Sequence, residues 1–287
     1  MLWIVLSLLT ALFTSVADLF RKKAVEEADE YVIAWAFRFA CLLFLVPVFL
    51  LTGIPVIGKD FWFAFIVSIG TNVVTNIWYI KALKLSDLSL AVPMLNFTPV
   101  FLLLFSPLIV GELPGFFGII GVLLIVLGSY FLNISDKKIG FLEPFKQLLK
   151  DKGARLMLLI AFVWSISSAY DKVGIQNSTP IFWVVSTSFF IAVFLFPVML
   201  WKSKNRVQQI KENFKPIVLS GLAIAFVAIF QMIAISLAFV VYVIAIKRTS
   251  SLISTFFGWF FFKEKNIKSR LFGAVIMFAG VLLITLF

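Results

Sequence analysis

Apolar residues run along this chain in long stretches separated by short polar and basic gaps. A helix needs about 20 mainly apolar residues to cross a hydrocarbon layer of ~30 Å. Ten stretches meet that need: 2–20, 32–52, 61–80, 89–110, 115–134, 155–171, 180–201, 216–236, 241–262 and 271–287. The eighth and ninth nearly touch, but their joint length suits two helices rather than one. The first begins at Met1 without a basic leader and carries Asp18, Arg21, Lys22 and Lys23 at its far end. It therefore reads as a retained span rather than a cleaved signal. The pattern predicts an all-α integral membrane protein of ten transmembrane helices.

Composition agrees. Hydrophobic residues make up 62% of the 287 and charged residues 14%, against about 45–50% and about 25% in soluble domains. The solvent for this excess is the lipid bilayer. The net charge of +11 sits mostly in the gaps, where it encodes topology rather than a nucleic-acid surface. Of the 25 Lys and Arg, twenty fall in the odd-numbered loops and two in the even-numbered ones, which predicts odd loops in the cytoplasm and both termini outside the cytoplasmic membrane. The chain has no His and one Cys, Cys41. A disulfide framework, a His-ligated metal and a Ser-His-Asp triad are excluded. There is no phosphate-binding glycine loop for ATP, and no cofactor is expected.

An offset of 152 residues takes Glu264 to Glu112, Gly273 to Gly121, Gly280 to Gly128, Phe257 to Phe105 and Ala234 to Ala82. Several matches on one offset indicate duplication. The halves are 1–138 and 154–287, joined by a connector at 139–153 whose Phe141, Leu142, Phe145, Leu148 and Leu149 share a helical face, as in a short helix lying on the inner leaflet. Five spans per half is an odd number, so the repeats are inverted about an axis in the membrane plane. The glycine pairs 121/128 and 273/280 are expected to pack helices within each half. Pro93, Pro99 and Pro107 predict kinks in the fourth span.

The stretch LSLAVPMLNFTPVFLLLFSPLIVGE, closed by Glu112 and followed by GIIGVLLIVLGSYF, resembles the EamA-type members of the drug/metabolite transporter superfamily. So does IAIKRTSSLISTFFGWFFFKEK, closed by Lys265 and followed by GAVIMFAGVLLI. The resemblance covers nearly the whole chain. It implies a two-repeat membrane transporter, in a family carrying amino acids, nucleotide-linked sugars, phosphorylated sugars and other metabolites. Lys247-Arg248 is similar to the Lys-Arg pair with which the sugar-phosphate/phosphate translocator branch grips phosphate; the lysine of that branch's fourth span falls here on Leu95.

An ionisable residue within a span requires a partner or a purpose. Lys247 and Arg248 lie on the order of 10 Å deep in the ninth span, and Arg38 lies inward in the second, with Glu26, Glu27, Asp29 and Glu30 as candidate partners. The acids Asp18, Asp60, Asp87, Glu112, Asp171 and Glu264 fall at span ends. Asn72, Asn76 and Tyr79 share one face of the third span; Gln231 matches Tyr79 on the offset and Asn96 matches Arg248. Ser251, Ser254 and Thr255 continue the face of Lys247, and Trp164 and Tyr170 are candidate cavity walls or interface anchors. Lys247, Arg248 and Arg38 are the candidate charge contacts, with Asn72, Asn76, Tyr79, Asn96 and Gln231 as orienting groups. The inverted repeat and the family resemblance imply a secondary active transporter, exporter or exchanger, and the excess of buried positive charge predicts a small anionic or zwitterionic substrate as its partner. The alternative is an amino-acid or general metabolite/drug exporter with no phosphate requirement. An intramembrane lipid-acting enzyme is opposed by the lack of His, clustered acids or a nucleophile-base pair.

Overall fold

The computed structural model describes residues 1–25, 28–86, 92–133, 151–253 and 267–286. Among them the chain is helical, without strands. The helices are α1 (Leu2–Val25), α2 (Glu30–Thr52), α3 (Phe61–Leu85), a 3-10 helix (Val92–Phe97) leading into α4 (Thr98–Ile109), α5 (Phe116–Asn133), α6 (Lys152–Gln176), α7 (Pro180–Lys202), a short α8 (Arg206–Glu212), α9 (Phe214–Leu237), α10 (Val240–Lys247) and α11 (Ile267–Leu286). Six of these, α1, α2, α3, α6, α7 and α9, are long and apolar enough to cross a membrane. Met94–Ile109, Phe116–Phe131 and Phe272–Leu286 are shorter apolar helices. The ninth expected span is described from Val240 to residue 253. Ten full spans are thus met in part, and most of the amphipathic connector lies outside the described residues.

Local chemistry explains where helices begin. Asp29 caps α2 by accepting from the Tyr31 amide at 2.9 Å, and Thr179 caps α7 ahead of Pro180 in the first turn, both satisfying amides that have no partner within the helix. Asp151 caps α6, accepting from the Ala154 amide at 2.7 Å and from Ser86 Oγ at 2.5 Å. Partial burial pushes its carboxyl up, but the bonds from Ser86 and the amides of Ala154 and Gly153 outweigh this and hold it below the usual range. Within spans, hydroxyls return their hydrogens to carbonyls one turn back, as Thr10 does to Leu6 and Thr75 to Thr71. Such bonds keep these hydroxyl hydrogens from facing lipid unpaired.

The most extensive helix contacts are α5 with α11, α1 with α9, α3 with α6 and α2 with α7. Exchanging the halves maps α1 on α6, α2 on α7, α3 on α9, α4 on α10 and α5 on α11. The α1/α9 pair then becomes α6/α3, while α5/α11 and α2/α7 map on themselves. The halves interdigitate about this pseudo-two-fold. At the α5/α11 crossing, a methyl added to Gly121 would lie 2.8 Å from the Gly280 carbonyl oxygen, and one added to Gly128 would lie 2.6 Å from that of Gly273. The two helices therefore run antiparallel. The expectation that these glycines pack within each half is corrected: they join the halves, because only small residues admit so close a backbone approach.

Gly128→Ala is expected to destabilise the fold by about 1–3 kcal/mol, the usual penalty of overpacking. Gly70→Ala, where nothing lies within 4 Å of the added methyl, should be neutral. Size-exclusion chromatography of heated, detergent-solubilised protein compares the two.

Candidate functional site

Both halves tighten their helix at corresponding places. The fourth span opens as the 3-10 helix Val92–Phe97. In the ninth, α10 ends at Lys247, and Arg248, Thr249 and Ser251 make three-residue amide bonds to Ala245, Ile246 and Arg248 at 3.0, 2.9 and 3.1 Å. Asn96 and Arg248, matched on the offset of 152, sit in these tightened stretches. A 3-10 stretch within a helix commonly marks a hinge or a site.

Lys247 and Arg248 lie in or beside the ninth-span stretch and a third cation, Arg38, lies on α2, each bonded to a neutral acceptor. Lys247 Nζ donates to Gln231 Oε1 at 2.7 Å, Arg248 Nη2 to Thr98 Oγ1 at 2.7 Å, and Arg38 Nη2 to Asn76 Oδ1 at 3.3 Å. No described carboxylate lies within ion-pair distance of any of them. Arg248 and Asn96 are buried, and their Nε and Nδ2 have no hydrogen-bond partner. Unmet donors in a buried site are expensive unless a ligand or water completes them.

A fourth cation joins because α1 continues to Val25 instead of ending near residue 20. Arg21 pairs with Asp18 one turn earlier at 3.0 Å and lies 5.6 Å from the centre of the Tyr79 ring. Tyr79 stacks on Trp164 at 5.7 Å, and Trp164 Nε1 donates to Thr75 at 3.0 Å. Arg21, Arg38, Asn76 and Tyr79 line a small cleft of about 20 Å³ together with apolar neighbours from α2, α3 and α9. Asp171, buried in α6, accepts from Ser68 Oγ at 2.8 Å and Trp183 Nε1 at 3.0 Å. Arg21, Arg248, Asp18 and Asp171 all lie within electrostatic range of Lys247, and Arg21 and Asp171 also within that of Arg38.

On the side of the even-numbered loops lies a buried ion pair. Glu112 Oε1 meets Lys172 Nζ at 3.1 Å with both side chains buried. Its Oε2 accepts from the Val240 amide at 2.8 Å, at the start of α10, and from Ser106 at 3.3 Å. Lys172 also donates to the carbonyls of Ile235 and Ala238, at 2.5 and 2.9 Å, at the end of α9. One ion pair thus satisfies both helix ends where α9 turns into α10, anion at the N-terminus and cation at the C-terminus. Nearby, the Gly58 amide donates to the Asn177 carbonyl at 2.9 Å, tying the loop after α2 to the end of α6.

Among the residues expected from the sequence, Arg38, Asn76, Tyr79, Gln231, Lys247, Arg248 and Asn96 fall in or beside this centre. Asn72 bridges α3 and α6 through Ser167 Oγ at 2.8 Å. Arg38 does not pair with Asp29 or Glu30, two of the four acids expected for it: Glu30 takes Lys84 at 3.1 Å and Asp29 accepts from Ser203 at 2.6 Å. Glu26, Glu27, Asp87, Ser254, Thr255 and Glu264 lie outside the described residues. Asp18 and Asp171 are not at helix ends as expected, since α1 and α6 each outrun their apolar stretch. Ser251 Oγ turns back on the Arg248 carbonyl at 2.9 Å, and Tyr170 meets Phe63 edge-on at 5.5 Å. The sequence reading missed Arg21, Asp18, Thr98, Asp171 and the Glu112–Lys172 pair. The i, i+3 spacing of Asp18 and Arg21 was the available signal for the first two.

Residues 1–134 and 151–286 each match the sequence profile of the EamA-like transporter family. A solved structure described only as "Crystal structure of protein" superposes with a TM-score of 0.80 over 99% of this chain and 96% of that one, at 15% identity. That likeness shows a shared fold. No curated protein matches the chain in sequence.

Glu112→Gln should destabilise the protein by about 3–5 kcal/mol, because Lys172 is left buried without its counter-charge. Glu112→Gln combined with Lys172→Met should recover much of that loss. Thermal melts of the singles and the double measure the coupling.

Proposed function

Because the chain belongs to the EamA-like transporter family, within the drug/metabolite transporter superfamily, we propose that it is a secondary active transporter of a small anionic or zwitterionic metabolite, working by alternating access across the cytoplasmic membrane. The observation that carries this reading is the central group of Lys247, Arg248 and Arg38, each bonded to a neutral acceptor. Buried positive charge left over in this way favours an anionic ligand, which supplies the missing counter-charge. Arg248 can grip a carboxylate or phosphate with two parallel donors, while Lys247 acts as a point charge. The site lies between interdigitated halves whose corresponding spans 4 and 9 both tighten beside it. Rocking of one half against the other would expose it to each side in turn.

In proteoliposomes, Lys247→Gln should weaken apparent substrate affinity about ten- to a hundredfold, as loss of a charge-assisted hydrogen bond does. Arg248→Lys should weaken it too, since lysine lacks the planar fork. Equal transport by both variants and the parent, normalised to folded protein, would contradict the assignment.

For orientation we rely on the loop charges, which put the odd loops in the cytoplasm. In a Cys41→Ser background, an impermeant thiol reagent added to intact cells should label Gln176→Cys and spare Lys204→Cys. The reverse pattern would invert the topology.

A further inference from the structure

Asp171 occupies a place in the fold that neither helix capping nor ion pairing explains. It is buried near the end of α6, and no described cation lies within ion-pair distance of it. Its neighbour Lys172 is taken by Glu112 at 3.1 Å. The bonds it accepts, from Ser68 Oγ at 2.8 Å and Trp183 Nε1 at 3.0 Å, both fall on Oδ1, and Oδ2 receives none from a described residue. An ionised carboxylate so placed is costly, and taking up a proton removes the cost. Two cations act on it, Lys247 of α10 and Arg38 of α2. Of the helices packed on α6, the 3-10 helix and α4 carry no ionisable residue. α3 presents Ser68, with Tyr79, Lys81 and Lys84 three or more turns further on; α7 presents Trp183, with Lys202 at its far end; α9 carries Lys215 in its first turn, at the end away from Asp171. On α10 Tyr242 stacks on Phe239, and on α6 itself Tyr170 meets Phe63.

A polar face of α3 joins this acid to the cations. Ser68, Asn72 and Asn76 recur one turn apart. Ser68 holds Asp171. Asn72 donates to the Ser68 carbonyl at 2.9 Å and to Ser167 Oγ of α6 at 2.8 Å. Asn76 donates to the Asn72 carbonyl at 2.7 Å and accepts from Arg38 at 3.3 Å. Both α3 and α10 start from the side of the even-numbered loops, and Ser68 and Lys247 stand equally far along them, at a depth of about 10 Å. The acid and the lysine therefore share one layer of the bundle, and the ladder leads from that layer to Arg38.

From this arrangement, and resting on the transport reading above, we propose that Asp171 is the coupling-proton site of the carrier and that proton and substrate anion cross together in the same direction, as a symport. While Asp171 is ionised, its charge partly answers Lys247 and Arg38 and repels an arriving anion. A proton taken from water on one side onto Oδ2 cancels that charge and leaves both cations to the substrate. Once the bundle has reoriented, the anion and the proton leave to the other side and the carboxylate is restored. The coupling is reciprocal: the proton raises the affinity for the anion, and the anion raises the affinity for the proton by the same factor.

Infrared difference spectroscopy of the purified full chain in nanodiscs tests the proton site without any ligand. The parent should show the C=O stretch of a protonated carboxyl that disappears on alkalinisation. The band should be missing in Asp171→Asn, whose side-chain oxygen can still accept from Ser68 and Trp183. At a fixed neutral pH it should be stronger in Arg38→Gln and in Lys247→Gln, since each removes a positive charge that favours the carboxylate. Benzenesulfonate, an anion with no proton of its own, tests the coupling. In weakly buffered solution its binding should alkalinise the medium with the parent and not with Asp171→Asn, and its affinity for the parent should be about tenfold or more higher at acid than at alkaline pH. An Asp171 that stays ionised throughout, or a band indifferent to both Arg38→Gln and Lys247→Gln, would overturn the proposal. Binding of benzenesulfonate without proton uptake would also overturn it, while leaving anion transport standing. An Asp171 that titrates as expected, in a protein whose anion transport is unchanged by Lys247→Gln and Arg248→Lys, would overturn the anion reading and the symport with it.

Discussion

Charge placed in a hydrocarbon layer has to be matched within a few ångströms, because no solvent is present to do it at a distance. Two regions of this protein obey that constraint in different ways. At Glu112–Lys172 the match is internal: an ion pair at 3.1 Å whose remaining bonds go to an amide at the start of α10 and two carbonyls at the end of α9. In the centre the match is incomplete, since three cations reach only an amide, an amide and a hydroxyl. The first arrangement holds helix ends together; the second is where we place the proposed anionic substrate.

The backbone prepares the receptive region. Tightening of the fourth and ninth spans at Asn96 and Arg248 puts matching irregularities on opposite halves. In a membrane, departures from the α-helix are tolerated where protein or a cavity surrounds them. The close glycine crossing of α5 with α11 fixes the halves to one another away from the site.

Much of this was legible in the residues. Apolar stretches located the six long apolar helices and the shorter ones, the offset of 152 agrees with the two family matches at 1–134 and 151–286, and the cost of charge in lipid singled out Lys247, Arg248 and Arg38. What escaped was what depends on helix ends and on contacts between halves. Arg21 looked like a loop charge because the apolar stretch stops before it, yet helix α1 needs no apolar residue to continue, and the Asp18–Arg21 pair supports its last turns. Asp171 and Lys172 were placed at a boundary for the same reason. Gly121 and Gly128 were rightly read as close-packing positions, but their partners lie across the pseudo-two-fold, which spacing along one helix does not encode. Thr98, an ordinary helical threonine by pattern, receives Arg248 only because α4 and α10 cross.

The central claim is that the site carries positive charge that a ligand must answer. A thermal-shift comparison of matched acid, amide and amine triads, phenylacetate, phenylacetamide and phenethylamine among them, tests it on the intact chain. A ligand at 100 times its Kd adds about 2.7 kcal/mol to stability, enough to move a melting midpoint. The account predicts stabilisation by the acids and none by the amides or amines. Stabilisation by the amines, with the acids inert, would contradict it.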